Sequence, residues 1–355
     1  MAHMGIELEP LGTLAGARSE WDAAAGRAGN PFATFDWVDA WWTHLAPRGE
    51  LLVRRMRAPD GRVVGLLPLY AQRRGPVTLI RFLGHGPAAQ LGPLCEPADL
   101  PLAAAGLRRT VAELGPGGLL LAERLASESA LAPRLRGGAV RSESSPLLPI
   151  EGRTYDAWLA SRSSNFRSQA RRMERRLARE HRLEFRFADD PATLSGHFDE
   201  LVRLHHLRWG DESKAFTPAR EAFHRDFAAR ALAQGWLRLC FAVVDDQPAA
   251  AYYGLRHAGV EWYYQLGRDP RWDEYRVGFV LLMRMIRGAF EDGLSAFRFG
   301  VGDEPYKQRV AAADPGVDTV LMSHAPVARL APHVAAGARR LPPGFRRPVM
   351  RALGW

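Results

Sequence analysis

Two stretches of this chain alternate apolar, β-rich runs with short polar turns in the same order. Leu51–Gly84 and Leu237–Gly267 each read strand, Asp-containing turn, strand, Gly-containing turn, strand. The turns are Asp60-Gly61 and Gly75-Pro76 in the first copy, and Asp245-Asp246 and Ala258-Gly259 in the second. Apolar positions at helical spacing predict helices around each copy. Ala17–Ala28 and Phe35–His44 precede the first, and Leu100–Leu114 comes after it. A long helical region, Tyr155–Arg182, then Ala192–Trp209 and Pro218–Gln234 precede the second, and Phe279–Asp292 comes after it. Leu294–Phe299 reads as a short closing strand. Each half is therefore helices, meander, helix, strand: a mixed α/β (α+β) unit occurring twice.

The length, 355 residues, accommodates two such units. The pattern places a first domain at 5–150, a helical connector and the start of the second domain at 151–235, a second domain with the ligand site at 236–325, and a basic tail at 326–355. A net charge of +9 directs attention to anionic partners without choosing among phosphate, nucleic acid and acidic surfaces. The tail carries arginines among Leu, Phe and Trp, and implies at most a peripheral membrane contact. No apolar run approaches the length of a membrane-spanning helix, and Met1–Pro10 does not read as a signal peptide. Cys95 and Cys240, the only two cysteines, make no disulfide framework, so the expectation is a reducing, cytoplasmic setting. The sequence assigns no oligomeric state.

Candidate chemistry concentrates in the second half. Arg276-Val277-Gly278-Phe279 stands where a strand leads into a helix. Unpaired backbone N–H groups, the helix dipole and an arginine make such a start an anion site. Gly300-Val301-Gly302 then leads into Asp303-Glu304-Pro305-Tyr306-Lys307 at a strand end, where α/β proteins place ligands. Lys307 is one of two lysines beside 46 arginines, so a compact ammonium is retained there against the trend of the chain. Tyr306 is a candidate proton donor, and Asp303 is a candidate base or simply a helix-start residue. Glu261 reads as a solvent-facing strand residue or a further base. Arg208 and Trp209, with His205 and His206, lie together on a helix. Nothing completes a metal-ligand set around the histidines, and no metal is expected. Tyr264 faces opposite to Tyr263 and Gln265 if the strand alternates regularly. Arg167, Arg171, Arg175 and Arg179 recur every four residues on one helix face, either a solvated surface or a ridge for phosphates.

Taken in order, these motifs resemble the GNAT acyltransferase superfamily, and within it the double-domain branch of FemABX-type transferases. The residues that carry the likeness are Phe35-Asp36-Trp37 with Trp41, Asp60-Gly61-Arg62-Val63-Val64-Gly65, Leu67-Pro68-Leu69, Arg167 to Leu177, His205–Trp209, the second meander, Arg276-Val277-Gly278 and Gly302–Lys307. The order is most similar to acetyltransferases of the CelD/BcsL-like, cellulose-biosynthesis group. The helix start departs from the family's Ser-Pro-Gly-like and Arg-x-x-Gly-x-Gly/Ala forms. The resemblance implies two tandem GNAT-like domains, each a mainly antiparallel sheet flanked by helices. It implies that the second domain holds the donor at Arg276, Val277, Gly278 and Phe279, with Lys307, Tyr306 and Asp303 catalytic and Arg208, Trp209, Tyr264, Arg167 and Arg171 toward substrate. The implied reaction is N-acylation of an amine on a sugar, peptide or natural-product intermediate. The co-substrate is a thioester of coenzyme A or of an acyl carrier protein. The alternatives are aminoacyl transfer from tRNA and a basic binding module without activity.

Overall fold

A computed structural model describes residues 5–135, 138–210 and 213–323. The chain divides into two units. The first contains the strands β1 (Glu7–Pro10), β2 (Glu50–Leu51), β3 (Arg54–Arg57), β4 (Val63–Leu67), β5 (Leu69–Arg74), β6 (Val77–Phe82), β7 (Leu94–Cys95), β8 (Gly118–Ala126) and β9 (Gly138–Glu143). Its helices include α1 (Arg18–Ala28), the start of α2 (Phe35–Leu45), α3 (Leu100–Glu113) and the single turn α4 (Leu131–Arg134). The second unit holds β10 (Leu147–Pro149), α5 (Tyr155–Ala160), α6 (Ser164–Glu180), β11 (Leu183–Phe187), α7 (Leu194–Trp209) and α8 (Pro218–Ala233). It continues with β12 (Leu237–Val244), β13 (Gln247–His257), β14 (Val260–Arg268), α9 (Val277–Glu291), β15 (Ala296–Arg298) and α10 (Pro305–Val310). A last strand, β16 (Val317–Ser323), pairs with β8 and β9 of the first unit.

The repeated meander exists in both units, with one difference. In the second it is a continuous antiparallel set, β12-β13-β14, inside a six-stranded sheet ordered β10-β15-β14-β13-β12-β11. In the first, the middle strand breaks at Pro68 into β4 and β5. The two hairpins then fall in separate sheets, β1-β3-β4-β7 and β2-β5-β6-β8-β16-β9. Proline has no N–H for a ladder, so a mid-strand proline ends the pairing. In both units a helix then crosses over to a parallel neighbour, α3 from β6 to β8 and α9 from β14 to β15.

Three sequence boundaries shift. Residues 151–235, expected as a helical connector and the start of the second domain, belong wholly to the second unit, with β11 hydrogen-bonded along β12. The second unit ends at Asp314 rather than 325, because β16 extends the first unit's sheet. The long helical region splits into α5 and α6, where the Ser163 side chain accepts from the Phe166 N–H and starts a new helix. The expected basic tail, 326–355, lies outside the described residues.

The second unit's core forms on the α9 face of its sheet. Tyr252, Leu281, Ile286 and Phe297 are almost wholly buried, with Trp158 and Phe166 packed from α5 and α6. The opposite face takes α7 and α8: Tyr253 lies in ring contact with Phe198 and His224. Gly267 is needed on that face, because a Cβ there would sit 2.5 Å from the His205 nitrogen. No helix among the described residues is long and apolar enough to cross a membrane.

Candidate active site

Strands β14 and β15 pair in parallel only over Val260–Trp262 and Ala296–Arg298. Beyond that point lies a cavity of about 340 Å³, lined by residues of β14, α7, α9, α10 and the 269–276 connection. A register shift opposite Tyr253 and Gly254 leaves Tyr264 without a cross-strand partner, so Gln265 pairs with Tyr253 and Tyr263 with Gly254. The bulge brings Tyr263 and Leu266 together in the cavity wall. Strict alternation would have set them on opposite faces.

One end of the cavity is the start of α9. Arg276, in the left-handed region at φ 51°, precedes the first helical residue. Phe279 N–H is taken by the Arg276 carbonyl at 2.8 Å, while the N–H groups of Val277 and Gly278 have no partner among the described residues. The helix start thus offers the cavity two unpartnered amides and a guanidinium, with Phe279 contributing its ring. Gly278 is closely packed: a Cβ there would stand 3.0 Å from Leu266 Cδ2, so that side chain would have to give by a few tenths of an ångström. The exposed Arg276 side chain makes no ion pair among the described residues. Val277 turns its side chain into the core.

The other end carries two phenols and an arginine. The hydroxyls of Tyr306 and Tyr263 are 3.2 Å apart. Burial first, and then the neighbouring Tyr263, push the Tyr306 hydroxyl far above the usual phenol range. Burial likewise raises Tyr263, partly offset by the positive charge of Arg208. Both phenols hold their protons at neutral pH and act there as hydrogen-bond donors. The Arg208 Nη1 donates to the Leu266 carbonyl at 2.9 Å. Its guanidinium carbon lies 4.4 Å from the Trp209 ring centre, and Trp209 itself is 50% exposed and outside the cavity lining.

Lys307 is buried, at 3% exposure, but does not line the cavity. Its Nζ donates to the Val301 carbonyl at 2.8 Å and pairs with Glu304 at 2.8 Å. The ammonium thus ties the 301–304 loop to α10, which carries Tyr306. Gly302 has φ +124°, and a Cβ there would collide with the Glu304 carboxylate. Asp303 is exposed just ahead of α10 and outside the lining. Tyr264 turns to the other face of the sheet, its hydroxyl 3.3 Å from His224 Nε2.

The arginine helix resolves into distinct roles. Arg167 donates to the carbonyls of Ala160 and Arg162, closing the end of α5. Arg179 pairs with Glu180. Arg171, Arg172 and Arg175 are exposed and have no partner among the described residues. Glu261 corrects the solvent-facing expectation: it is fully buried, accepts from Arg256 at 2.9 Å and Tyr252 at 3.3 Å, and lies 3.6 Å from Arg238. Two arginines and a tyrosine hydroxyl make it a buried ion cluster at the start of β14.

Sequence reasoning missed Tyr263, Leu266, Arg268, Asp273 and Leu282 in the lining. The available signal was the strand end Leu266-Gly267-Arg268, which runs directly into the anion-binding turn. A second cavity, of about 160 Å³, lies in the first unit near Asn30, Leu91, Cys95 and Leu125, and its lining holds no arginine, lysine or tyrosine. Burial pushes the thiols of Cys95 and Cys240 up to about 12, so neither is a nucleophile at neutral pH. No cluster of three or more metal-ligating side chains occurs among the described residues.

A family model described as an acetyltransferase (GNAT) domain matches residues 164–308, a span that runs from α6 through Lys307. Curated proteins give no match to the sequence. Among solved structures, FemX superposes with a TM-score of 0.61 at 12% identity, over 92% of this chain and 100% of FemX. L-PGS from Bacillus licheniformis gives 0.57 at 11% identity, over 91% and 95%. A tandem GNAT protein from the clavulanic acid biosynthesis pathway gives 0.51 at 13% identity, over 91% and 99%. At these identities the likeness is one of fold: this chain shares the mixed α/β architecture of these proteins, and its residues 164–308 are similar to a GNAT acetyltransferase domain.

Proposed function

We propose that the protein is an N-acyltransferase that moves an acyl group from a thioester to an amine within the second unit's cavity. The observation that carries this reading is the pairing, in one cavity, of a phosphate-type anion site with a set of polar donors at its other end. A coenzyme A or carrier-protein thioester has the matching layout: phosphate at one end of a pantetheine arm, reacting carbonyl at the other. Val277 and Gly278 N–H and Arg276 hold the phosphate. The carbonyl lies beside Tyr263 and Tyr306. As the amine attacks, negative charge grows on the carbonyl oxygen, and fixed donors there lower the barrier. When the C–S bond breaks, the proton shed by the attacking nitrogen passes through the hydrogen-bonded phenol pair to the departing thiolate, which leaves as the thiol. The raised position of both phenols keeps them protonated in the resting site, where they serve as hydrogen-bond donors to the carbonyl oxygen.

In this reading Lys307 is a positioning residue, since its ammonium is committed to Val301 and Glu304 and fixes the helix that presents Tyr306. Transfer is direct within a ternary complex, consistent with the unreactive buried thiols. The acceptor is a primary amine on a sugar, peptide or natural-product intermediate. The placement beside CelD/BcsL-like acetyltransferases rests on sequence order.

Native mass spectrometry with acetyl-CoA, a long-chain acyl-CoA, acyl carrier protein and aminoacyl-tRNA in parallel tests the donor. Retention of a thioester, reduced in Arg276→Ala, supports the reading, while binding of none of the thioesters refutes it. A second reading, aminoacyl-tRNA as donor, is favoured by one observation. Arg171, Arg172 and Arg175 lie exposed on α6, and Phe166 near the start of that helix packs against Phe279 of the cavity at a 5.7 Å ring separation. That reading requires activity to vanish on ribonuclease treatment and to fall steeply with salt.

A further inference from the structure

The cavity contains three guanidinium groups, Arg208, Arg268 and Arg276, against a single carboxylate, Asp273. Asp273 is already paired with Arg268. Arg276 stands at the α9 end with the two free amides. Arg208 remains, at the phenol end, and no carboxylate pairs with it among the described residues.

Its setting is constructed. The bond from Nη1 to the Leu266 carbonyl and the stacked Trp209 ring fix the plane of the guanidinium. Arg208 lowers the raised positions of both Tyr263 and Tyr306, so its charge acts on the phenol pair. It also opposes the charge on Arg268, which burial already disfavours. Two like charges therefore act on one cavity that holds one carboxylate. Such a cavity has a positive potential that an anion relieves. Beyond its bonds to the Leu266 carbonyl and toward the Tyr263 hydroxyl, the Arg208 guanidinium has further N–H donors beside the two phenols, which suits the two oxygens of a carboxylate.

We propose that the phenol end of the cavity is a carboxylate subsite, in which Arg208 binds a carboxylate carried by one of the two reactants. The inference rests on the thioester reading for the identity of those reactants. The carboxylate belongs either to the acyl group, as in a dicarboxylic half-thioester, or to the amine acceptor, as in an amino acid or peptide. In either case it fixes the reacting carbon and nitrogen relative to Tyr263 and Tyr306, and selects reactants by charge as well as by size.

The first measurement does not depend on the donor. Ligand-observed NMR compares glutarate with glutaramide on the wild-type protein, on R208Q and on R208K, with thermal melting confirming that each variant folds. The subsite predicts that wild type binds the diacid at least about 10-fold more tightly than the diamide, that R208Q loses the preference, and that R208K keeps part of it. No preference in wild type, or one that survives R208Q, overturns the proposal.

Two matched pairs then identify the source: succinyl-CoA against acetyl-CoA, and alanine against ethylamine on protein saturated with coenzyme A. One pair must show a preference of about 10- to 100-fold for its carboxylate-bearing member, removed by R208Q. Equal affinity within both pairs overturns the subsite. If neither CoA thioester binds while the glutarate preference tracks Arg208, the thioester reading falls and the subsite stands.

Discussion

In the first unit, β6 and β8 run parallel over Thr78–Ile80 and Gly118–Leu120 and then part; in the second, β14 and β15 do the same after Trp262 and Arg298. After β6 the long segment 83–99 returns across the gap. Leu91 N–H bonds to the Arg124 carbonyl at 3.0 Å and bridges Leu125, while the Arg124 guanidinium holds the carbonyls of Gly86 and Ala88. After β14 the short segment 269–276 runs straight into α9 and leaves the gap as a cavity. One topology thus yields a wedge largely filled by the returning chain, with the smaller cavity beside it, and an open one. The difference lies in the length of one connection and in whether an arginine beside the gap bonds to the chain's own carbonyls. Arg124 does so, and Arg276 does not.

Filling the open wedge should erase the contrast between the two units and have the largest effect. Gly278→Val forces a branched side chain against Leu266, and overpacking of this kind costs about 1–3 kcal/mol at the donor site. The expected outcome is a loss of about 100-fold in kcat/KM. Leu91→Ala, in the filled wedge, should instead cost about 2–3 kcal/mol of stability with donor affinity unchanged. Denaturant melts and donor titrations of both variants read the contrast. If Leu91→Ala alone weakens donor binding, the two wedges have been assigned the wrong way round.

The next effect concerns Arg276. Removing its guanidinium should weaken donor affinity about 10- to 50-fold, the value of a charge-assisted bond. Ala and Gly should be equal in affinity and unequal in stability, because the position has a positive φ that costs a side chain about 1 kcal/mol. Calorimetric titration and melting of R276A and R276G check both halves.

Lys307→Met should lower kcat about 10-fold and stability by about 2 kcal/mol, since Val301 and Glu304 lose a buried partner. Glu304→Gln should reproduce part of both effects. Unchanged turnover in the methionine variant contradicts even the positioning role.

The smallest and most gradual effect is on pH. Burial depresses His205 to about 4 and His224 to about 3, both in the second unit. A folded pKa below the unfolded value means that stability is complete above about pH 6.5 and is lost as pH falls toward the folded values. Each histidine should contribute a slope approaching 1.4 kcal/mol per pH unit in that window. Protection factors of β12–β14 amides, taken relative to intrinsic exchange at each pH, should therefore fall between pH 7 and 5, and His224→Phe should flatten the slope.

Much of this architecture was legible from the chain. Helix positions came from periodicity and caps, and both meanders from their turn residues, because these are local signals. The return of β16 to the first unit was not legible, since strand pairing across the length of the chain leaves no local mark. Nor was the bulge at Tyr264, which defeats a reading based on strict alternation. Rarity nominated Lys307, but could not show that its ammonium is bonded to Val301 and Glu304. That Arg276 and Gly278 stand at a helix start was readable, because a helix start has fixed backbone chemistry. Arg268 and Tyr263 became site residues only through the divergence of two strands.

That the open wedge of the second unit holds the donor is best tested by hydrogen–deuterium exchange with and without a retained thioester. Protection should be confined to residues 263–282 and 301–308, with segments 83–99 and 118–126 of the first unit unchanged. Protection in those first-unit segments, or none around the start of α9, would contradict the assignment.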